Sequence, residues 1–158
     1  MSKRPTRGFQ VAAEADRFGA AVFYLIGRFD CKVSAKDTSD LCIYDTIRTN
    51  RGGPPLHIHH DQDEWFFVRE GEFVFQIGDD RFRLKPGDSV FGPRKVPHAF
   101  ANLTEQGKLM IVYQPAGTIE QFFLDGSRFT TPPTPMELQA LYRKHRLEIV
   151  GPPLTVDP

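Results

Sequence analysis

Short alternating apolar segments, separated by turn residues, run through most of the chain. The pattern predicts clear strands over residues 21–26 and 41–47, with a polar loop between them. Further short strands are predicted at residues 64–69, 72–77, 81–84, 88–91, 98–101 and 108–113. Turn dipeptides such as Glu70-Gly71 and Pro86-Gly87 separate them. Eight or more short strands with turns this close together predict an all-β sandwich or barrel.

The sequence near the C-terminus has a helical pattern instead. Thr134-Pro135-Met136-Glu137 is a capping box with proline at the first helical position, so we expect a helix from residue 135 to about 145. Its apolar residues share one face, which should pack on the barrel: Leu138, Leu141 and Tyr142.

The length of 158 residues favours one domain. A short helix is also predicted at 118–124, and Gly151-Pro152-Pro153 is expected to end regular structure. We therefore expect a single domain over residues 1–158, with a barrel core at about 20–115 and a helical extension at about 116–158.

The charge balance argues against whole classes of partner. Lys and Arg number 20 and Asp and Glu number 20, so no net charge attracts the chain to nucleic acid or to an anionic membrane. The longest apolar run, at residues 20–26, is far shorter than the ~18 residues of a membrane span. The first residues lack the apolar stretch of a signal peptide, and Cys31 and Cys42 are expected to be reduced thiols, with one disulfide as the alternative. These features predict a cytoplasmic protein that binds neither nucleic acid nor membrane.

Four residues carry candidate metal chemistry. His57 and His59 lie two positions apart, so a strand projects both imidazoles to one face, while His60 points the other way. Glu64 and His98 begin segments whose same-face residues are apolar. Three imidazoles and a carboxylate are costly to bury in an apolar lumen unless a divalent metal binds them. The alternative is a hydrogen-bonded polar cluster without metal.

The spacing of these residues resembles two motifs of the cupin family. The first is Gly52, then His57-x-His59-x(4)-Glu64-x(6)-Gly71, and the second is Gly87-x(5)-Pro93 with His98-x(3)-Asn102. The chain most resembles single-domain proteins similar to the quercetin dioxygenases. The resemblance implies a double-stranded β-helix, or jelly-roll, barrel that holds one metal through His57, His59, Glu64 and His98. One departure is Lys95, which stands where the family usually has glycine, in a turn before His98.

The resemblance also implies a reaction. It suggests a metal-dependent dioxygenase that acts on an enolic, apolar or aromatic small molecule, with Glu64 as both a ligand and the catalytic proton acceptor. The ligand types suit Fe, Mn, Ni, Co, Cu or Zn, so they do not identify the metal. Two alternatives remain open: a metal-dependent isomerase or lyase on a small oxygen-rich substrate, and a ligand-binding or sensing protein without enzymatic activity.

Several apolar and tyrosine side chains are candidates for a substrate pocket, although each would also suit the barrel core. They are Phe66, Phe75, Phe100, Met110, Val112, Tyr24 and Tyr44. By strand parity Trp65 faces away from Glu64, which indicates a subunit contact, and the resemblance implies a homodimer. His145, on the last turn of the predicted helix, is expected to have a surface role or to interact with the helix dipole at its C-terminal end, not to be catalytic.

Overall fold

The computed structural model describes residues 4–25 and 27–156. The ends of the predicted domain and Ile26, which closes the first predicted strand, lie outside the described residues. Within that part of the chain, eleven strands are β1 Val22–Tyr24, β2 Gly27–Val33, β3 Cys42–Arg48, β4 Pro55–His59, β5 Asp63–Glu70, β6 Phe73–Ile77, β7 Asp80–Leu84, β8 Ser89–Gly92, β9 His98–Asn102, β10 Gly107–Gln114 and β11 Leu147–Pro153. Three helices are α1 Ala35–Thr38, α2 Ile119–Gly126 and α3 Pro135–Lys144.

The strands form two antiparallel sheets. The six-stranded sheet has the order β1-β2-β3-β10-β5-β8, and the five-stranded sheet has the order β11-β4-β9-β6-β7. Non-consecutive strands lie side by side in both sheets, as in a jelly roll. The arrangement confirms the predicted all-β jelly-roll barrel with a short helix near its C-terminus. No helix among the described residues has the length and apolar character needed to cross a bilayer.

Aromatic side chains fill the space between the sheets. Phe66 of β5, Phe75 of β6 and Phe100 of β9 are buried, with ring centroids 4.9–6.0 Å apart. Each such side chain contributes about 1.5–3 kcal/mol when it is removed from water. The odd–even alternation of these strands therefore directs one face of each to a shared interior.

The helical pattern near the C-terminus was predicted correctly. Thr134 Oγ1 accepts a hydrogen bond from the Glu137 amide at 3.2 Å, and Glu137 Oε2 accepts one from the Thr134 amide at 2.8 Å. This capping box begins α3, whose Leu141 and Tyr142 are buried against the barrel. The helix ends at Lys144, one residue before the expected position.

Regular structure among the described residues ends at Gly151-Pro152-Pro153, as expected, but the strand that these residues close was not predicted. They belong to β11, which pairs with β4 at Leu147↔His59 and Ile149↔His57. β11 is an edge strand of its sheet, so one of its sides has no partner strand. Prolines are tolerated there because the amide hydrogens that they lack are not needed for pairing on that side. The strand that carries the first two histidines is therefore covered by a neighbour from the far end of the chain.

Candidate metal centre

The four candidate ligands come from three strands. His57 and His59 lie on β4, Glu64 is the second residue of β5, and His98 is the first residue of β9. His57 and His98 are register partners, so the short β4–β9 contact sets two of the imidazoles side by side. All four side chains are buried, and one ligand atom from each lies within 4.8 Å of all the others.

Glu64 lies between two of the histidines. Its Oε2 is 2.5 Å from His98 Nε2 and 3.3 Å from His59 Nε2. The ring of His57 completes the group, with its centroid 4.5 Å from that of His98 and 5.1 Å from that of His59. The structure thus brings together all four residues that the motif spacing singles out.

In His57 and His59, the ring nitrogen that faces away from the cluster has a polar partner. His57 Nδ1 lies 2.7 Å from the carbonyl oxygen of Pro55, and His59 Nδ1 lies 2.9 Å from Gln62 Oε1. Gln62 in turn donates to the carbonyl oxygens of Pro115 and Ala116. A proton on Nδ1 leaves the Nε2 lone pair directed into the cluster. Metal-binding histidines usually donate a hydrogen bond from the second ring nitrogen in this way. Gln62 was not foreseen from the sequence, because nothing in its local pattern marks it.

The electrostatics of the cluster favour neutral imidazoles at His57 and His59 beside a charged carboxylate. Burial, with the neighbouring imidazoles, lowers the pKa of His57, and burial likewise lowers that of His59. Burial would raise the pKa of Glu64, but His59 and His98 lower it to about 2. Burial would also lower the pKa of His98, and the Glu64 carboxylate raises it overall.

The donor set fits a divalent cation. Glu64 Oε2 and His98 Nε2 are buried and close, yet they lack the angles of a hydrogen bond, so both remain without a hydrogen-bond partner. A cation held by the two atoms would satisfy both. Imidazole nitrogen and carboxylate oxygen are ordinary ligands of first-row transition metals, and the set does not discriminate among them.

A cavity lies beside the cluster, and several predicted pocket residues line it. The space open to the centres of water molecules is about 40 Å³, which is room for a few waters. Of the candidates, Tyr24, Phe66 and Phe100 line this cavity. Phe75 and Tyr44 are buried in the core instead of facing it.

The expectation for β10 was wrong. Met110 and Val112 are partly exposed on the outer face of the six-stranded sheet, whereas Ile111 and Tyr113 point inward and line the cavity. The register explains the difference, because Tyr113 pairs with Glu64 and therefore shares its inward face. The sequence carried a signal that the expectation missed, because the outer face also holds Lys108 and Gln114.

The cavity also has walls that sequence reasoning missed. Residues from the C-terminal part of the chain line it, namely Ile119, Phe122, Phe123, Tyr142 and Leu147. Arg48, at the end of β3, lines it as well. Its position could have been found from the sequence, because Arg48 follows Tyr44 and Thr46 at intervals of two residues and therefore lies on the same inward face of the strand.

Two further residues near the site bear on the expectations. Lys95 adopts a φ of 67°, so the turn before His98 does need the left-handed conformation for which glycine is usual, and the Lys95 amide donates to the carbonyl oxygen of His59 at 2.8 Å. His145 is buried instead of exposed: Thr118 Oγ1 lies 2.8 Å from its Nδ1, and Asp125 Oδ2 lies 2.9 Å from its Nε2. The prediction of a surface role for His145 failed because α2 packs over the end of α3.

Comparison with known proteins gives the class of this fold. Residues 45–113 match the family described as "Cupin domain". Quercetin 2,3-dioxygenase of Bacillus subtilis is 27% identical over 110 residues, which cover 68% of this chain and 32% of that protein. An uncharacterised protein of Methanocaldococcus jannaschii is 31% identical over 48 residues. The matches span between about a third and a half of the length of the curated relatives.

Solved structures share the barrel. KdgF from Halomonas sp. superposes with a TM-score of 0.59 at 19% identity, covering 70% of this chain and 94% of that one. An RmlC-like cupin from Shewanella frigidimarina gives 0.54 at 23% identity, covering 73% and 96%. The fold and the buried His/Glu cluster together define a jelly-roll barrel of the kind that holds a metal inside. Residues 45–113 carry a cupin domain, and the chain is similar to a quercetin 2,3-dioxygenase.

Proposed function

We propose that this cupin is a metal-dependent dioxygenase acting on a small enolic molecule of apolar or aromatic character. The observation that carries the proposal is a buried cluster of three histidines and one glutamate facing a cavity whose other walls are mainly aromatic. The similarity to a quercetin 2,3-dioxygenase supports the same chemistry.

The four ligands have distinct tasks in this proposal. His57, His59, Glu64 and His98 would hold one divalent transition metal, drawn from Fe, Mn, Ni, Co, Cu or Zn. When bound, such a metal supplies a Lewis acid for an enol oxygen and, if redox-active, a partner for dioxygen. Glu64 would accept the enol proton, since its carboxylate is ionised at neutral pH and reaches into the cavity. Phe66 and Phe100 would keep water away from the reacting atoms.

The size of the cavity favours a small substrate. About 40 Å³ is open to the centres of water molecules, whereas pockets for drug-sized ligands span roughly 300–1,000 Å³ in total volume. We therefore propose a compact enol, such as a 1,3-diketone, in preference to a flavonol.

Metal reloading combined with oxygen uptake tests the proposal. The purified protein is stripped of metal, reloaded separately with each of the six metals, and assayed for oxygen consumption with 1,3-diketones and flavonols. We expect one metal per chain and oxygen uptake with at least one enol. His98→Ala should lose more than about 100-fold in metal affinity, and uptake with it, because it removes a ligand outright.

His60→Ala is the matched control for that variant. The His60 side chain lies outside the cavity and approaches Glu148 at 3.3 Å, so this substitution should leave metal content and uptake unchanged. Absence of uptake with every metal and every enol would overturn the dioxygenase. Substrate turnover without oxygen in the Zn or Mn form would assign an isomerase or lyase, and tight binding without turnover would assign a sensing role.

We further propose that the chain is a single-domain cytoplasmic protein that pairs as a homodimer. The support for pairing is an apolar patch on the outer face of the six-stranded sheet, where Trp65 is 37% and Phe91 is 56% exposed. Light scattering should give about twice the chain mass of 18.0 kDa for the native protein and the single-chain mass for Trp65→Glu. A native mass near 18.0 kDa would rule the homodimer out.

A further inference from the structure

Arg48 is a buried cation that forms no ion pair with any residue the structure describes. Its residue is 3% exposed, and its Nε and Nη1 atoms have no hydrogen-bond partner. Among the described residues, seven other arginines pair with a carboxylate: Arg17, Arg28, Arg69, Arg83, Arg94, Arg128 and Arg146. Arg48 pairs with none of the described carboxylates, although burial without a counter-charge is most costly for a group in its position.

The surroundings of Arg48 hold its guanidinium in place. Its Cζ lies 5.3 Å from the ring centroid of Phe29 and 5.0 Å from that of Phe100, so two aromatic faces stabilise the cation. Behind it lies Gly27, where an added Cβ would come within 2.9 Å of Arg48 Cζ. Glycine at position 27 therefore leaves room for the guanidinium of Arg48. Burial lowers the pKa of Arg48 to about 10, so the group stays charged at neutral pH.

The guanidinium belongs to the same cavity as the metal cluster. Arg48, Phe29 and Phe100 line the space that the four candidate ligands also line. From Arg48, the ring of Phe100 leads to Phe66 at 6.0 Å, and the ring of Phe66 leads to that of His98 at 5.9 Å. The cation, the two rings and the cluster thus line one continuous space that a single ligand can fill, and no described carboxylate forms an ion pair with Arg48.

We propose that Arg48 binds a carboxylate of the cavity's ligand, which makes the substrate a small enolic carboxylic acid. The planar fork of the guanidinium suits a carboxylate, and the bound anion would be the missing partner of the Nε and Nη1 atoms. The enol end of this ligand rests on the proposed function, whereas the carboxylate end rests on the surroundings of Arg48. A free small anion would present the same chemistry, and the test separates the two sources.

Two matched 1,3-diketones serve as probes. Acetylacetone is a small enol without a carboxylate, and acetopyruvate is the same diketone with one. Calorimetric titration of the metal-loaded and metal-free full-length chain measures both affinities. We expect the native protein to bind acetopyruvate at least roughly ten-fold more tightly, as a charge-assisted pair with a buried arginine would give.

Substitution of Arg48 tests whether this residue is the cause. Arg48→Met should bring the two affinities to within about two-fold while metal content stays unchanged. Arg83→Met, an exposed arginine on β7, is the control that should keep the full preference. If Arg48→Met does not fold, Arg48→Gln is the second variant, because it removes the charge and leaves a polar side chain in its place. A preference that persists in these variants would overturn the inference.

Competition with acetate distinguishes the source of the anion. If the ligand's own carboxylate occupies the site, excess acetate weakens acetopyruvate binding to the native protein and leaves acetylacetone binding unchanged. Acetopyruvate binding that is insensitive to acetate would show that Arg48 does not hold the ligand's carboxylate, and the inference would be wrong. Oxygen uptake is not a readout here, so failure of the dioxygenase proposal and failure of the Arg48 assignment give different results.

Discussion

Two regions of the chain line one cavity with different chemistry. The first is the central strands, here β3, β4, β5 and β9, and the second is the C-terminal segment, here α2, α3 and β11. The central strands supply all four candidate metal ligands and the Arg48 cation, and the C-terminal segment supplies apolar or aromatic groups. Tyr142 is the residue of that segment that also brings a polar atom, a hydroxyl that lies 3.3 Å from the hydroxyl of Tyr24. The reactive atoms and the shape of the cavity therefore come from separate parts of the chain.

The two regions are also held in place differently. The ligands sit on strands whose backbone ladders set their positions, as where His57 faces His98. Within the C-terminal segment β11 is paired with β4, whereas α2 is attached through side chains, with Phe123 stacked on Phe29 at 4.3 Å. Substitutions on α2 can therefore alter the shape of the cavity without moving the ligands, because side-chain packing holds α2 and strand pairing holds the ligands.

The largest effect should come from breaking the aromatic attachment. Phe123 is buried and its ring lies within 6.2 Å of four other rings in the barrel, so Phe123→Ala should lower the free energy of unfolding by about 3–5 kcal/mol. Metal stoichiometry of the folded fraction should stay the same, because no ligand moves. Urea denaturation with metal analysis measures both quantities.

Leu124→Ala is the control on the same helix, since Leu124 is 46% exposed, and it should change stability by less than about 0.5 kcal/mol. Loss of metal in folded Phe123→Ala would contradict the independence of the two regions.

A smaller effect should come from the polar contacts that join α2 to the end of α3. Lys144, Gln121 and His145 lie within hydrogen-bond distance of Asp125 and hold the pKa of its carboxyl well below the usual value. Asp125→Asn should cost about 1 kcal/mol at pH 7. A depressed folded pKa stabilises the protein above the unfolded value of about 3.9, so the cost should shrink as the pH falls below about 4.

Urea denaturation at pH 7, 5 and 3 measures the difference between Asp125→Asn and the native protein. Glu105→Gln, at an exposed turn, provides the comparison and should show a smaller change at each pH. A cost for Asp125→Asn that grew on acidification would contradict the stated role of the carboxylate.

The smallest effect should come from the turn that precedes His98 on the strand side of the cavity. Lys95 holds a φ of 67° in the turn that precedes His98, where a side chain is strained. Lys95→Gly should raise the free energy of unfolding by about 0.5 kcal/mol and leave metal affinity unchanged. Thermal denaturation checks this prediction, and Lys85→Gly, at a turn without positive φ, should destabilise instead. A destabilised Lys95→Gly would mean that the lysine side chain stabilises the turn.

Most of the barrel and the cluster could be predicted from local patterns. Two-residue periodicity marked most of the strands, the capping box marked α3, and the motif spacing singled out His57, His59, Glu64 and His98. The failures share a cause, because each depended on a neighbour distant in the chain. The inward face of β10 was decided by the pairing of Tyr113 with Glu64, and the burial of His145 by the packing of α2 over α3.

The fold class and the set of residues able to hold a metal could be inferred from the chain alone, since both follow from side-chain alternation and motif spacing within short stretches. Their surroundings came from the folded molecule: which β10 face lines the cavity, how far the C-terminal segment closes it, and that Arg48 is buried there with no counter-charge among the described residues. Burial and charge pairing depend on which distant strands become neighbours, and that is a property of the assembled barrel.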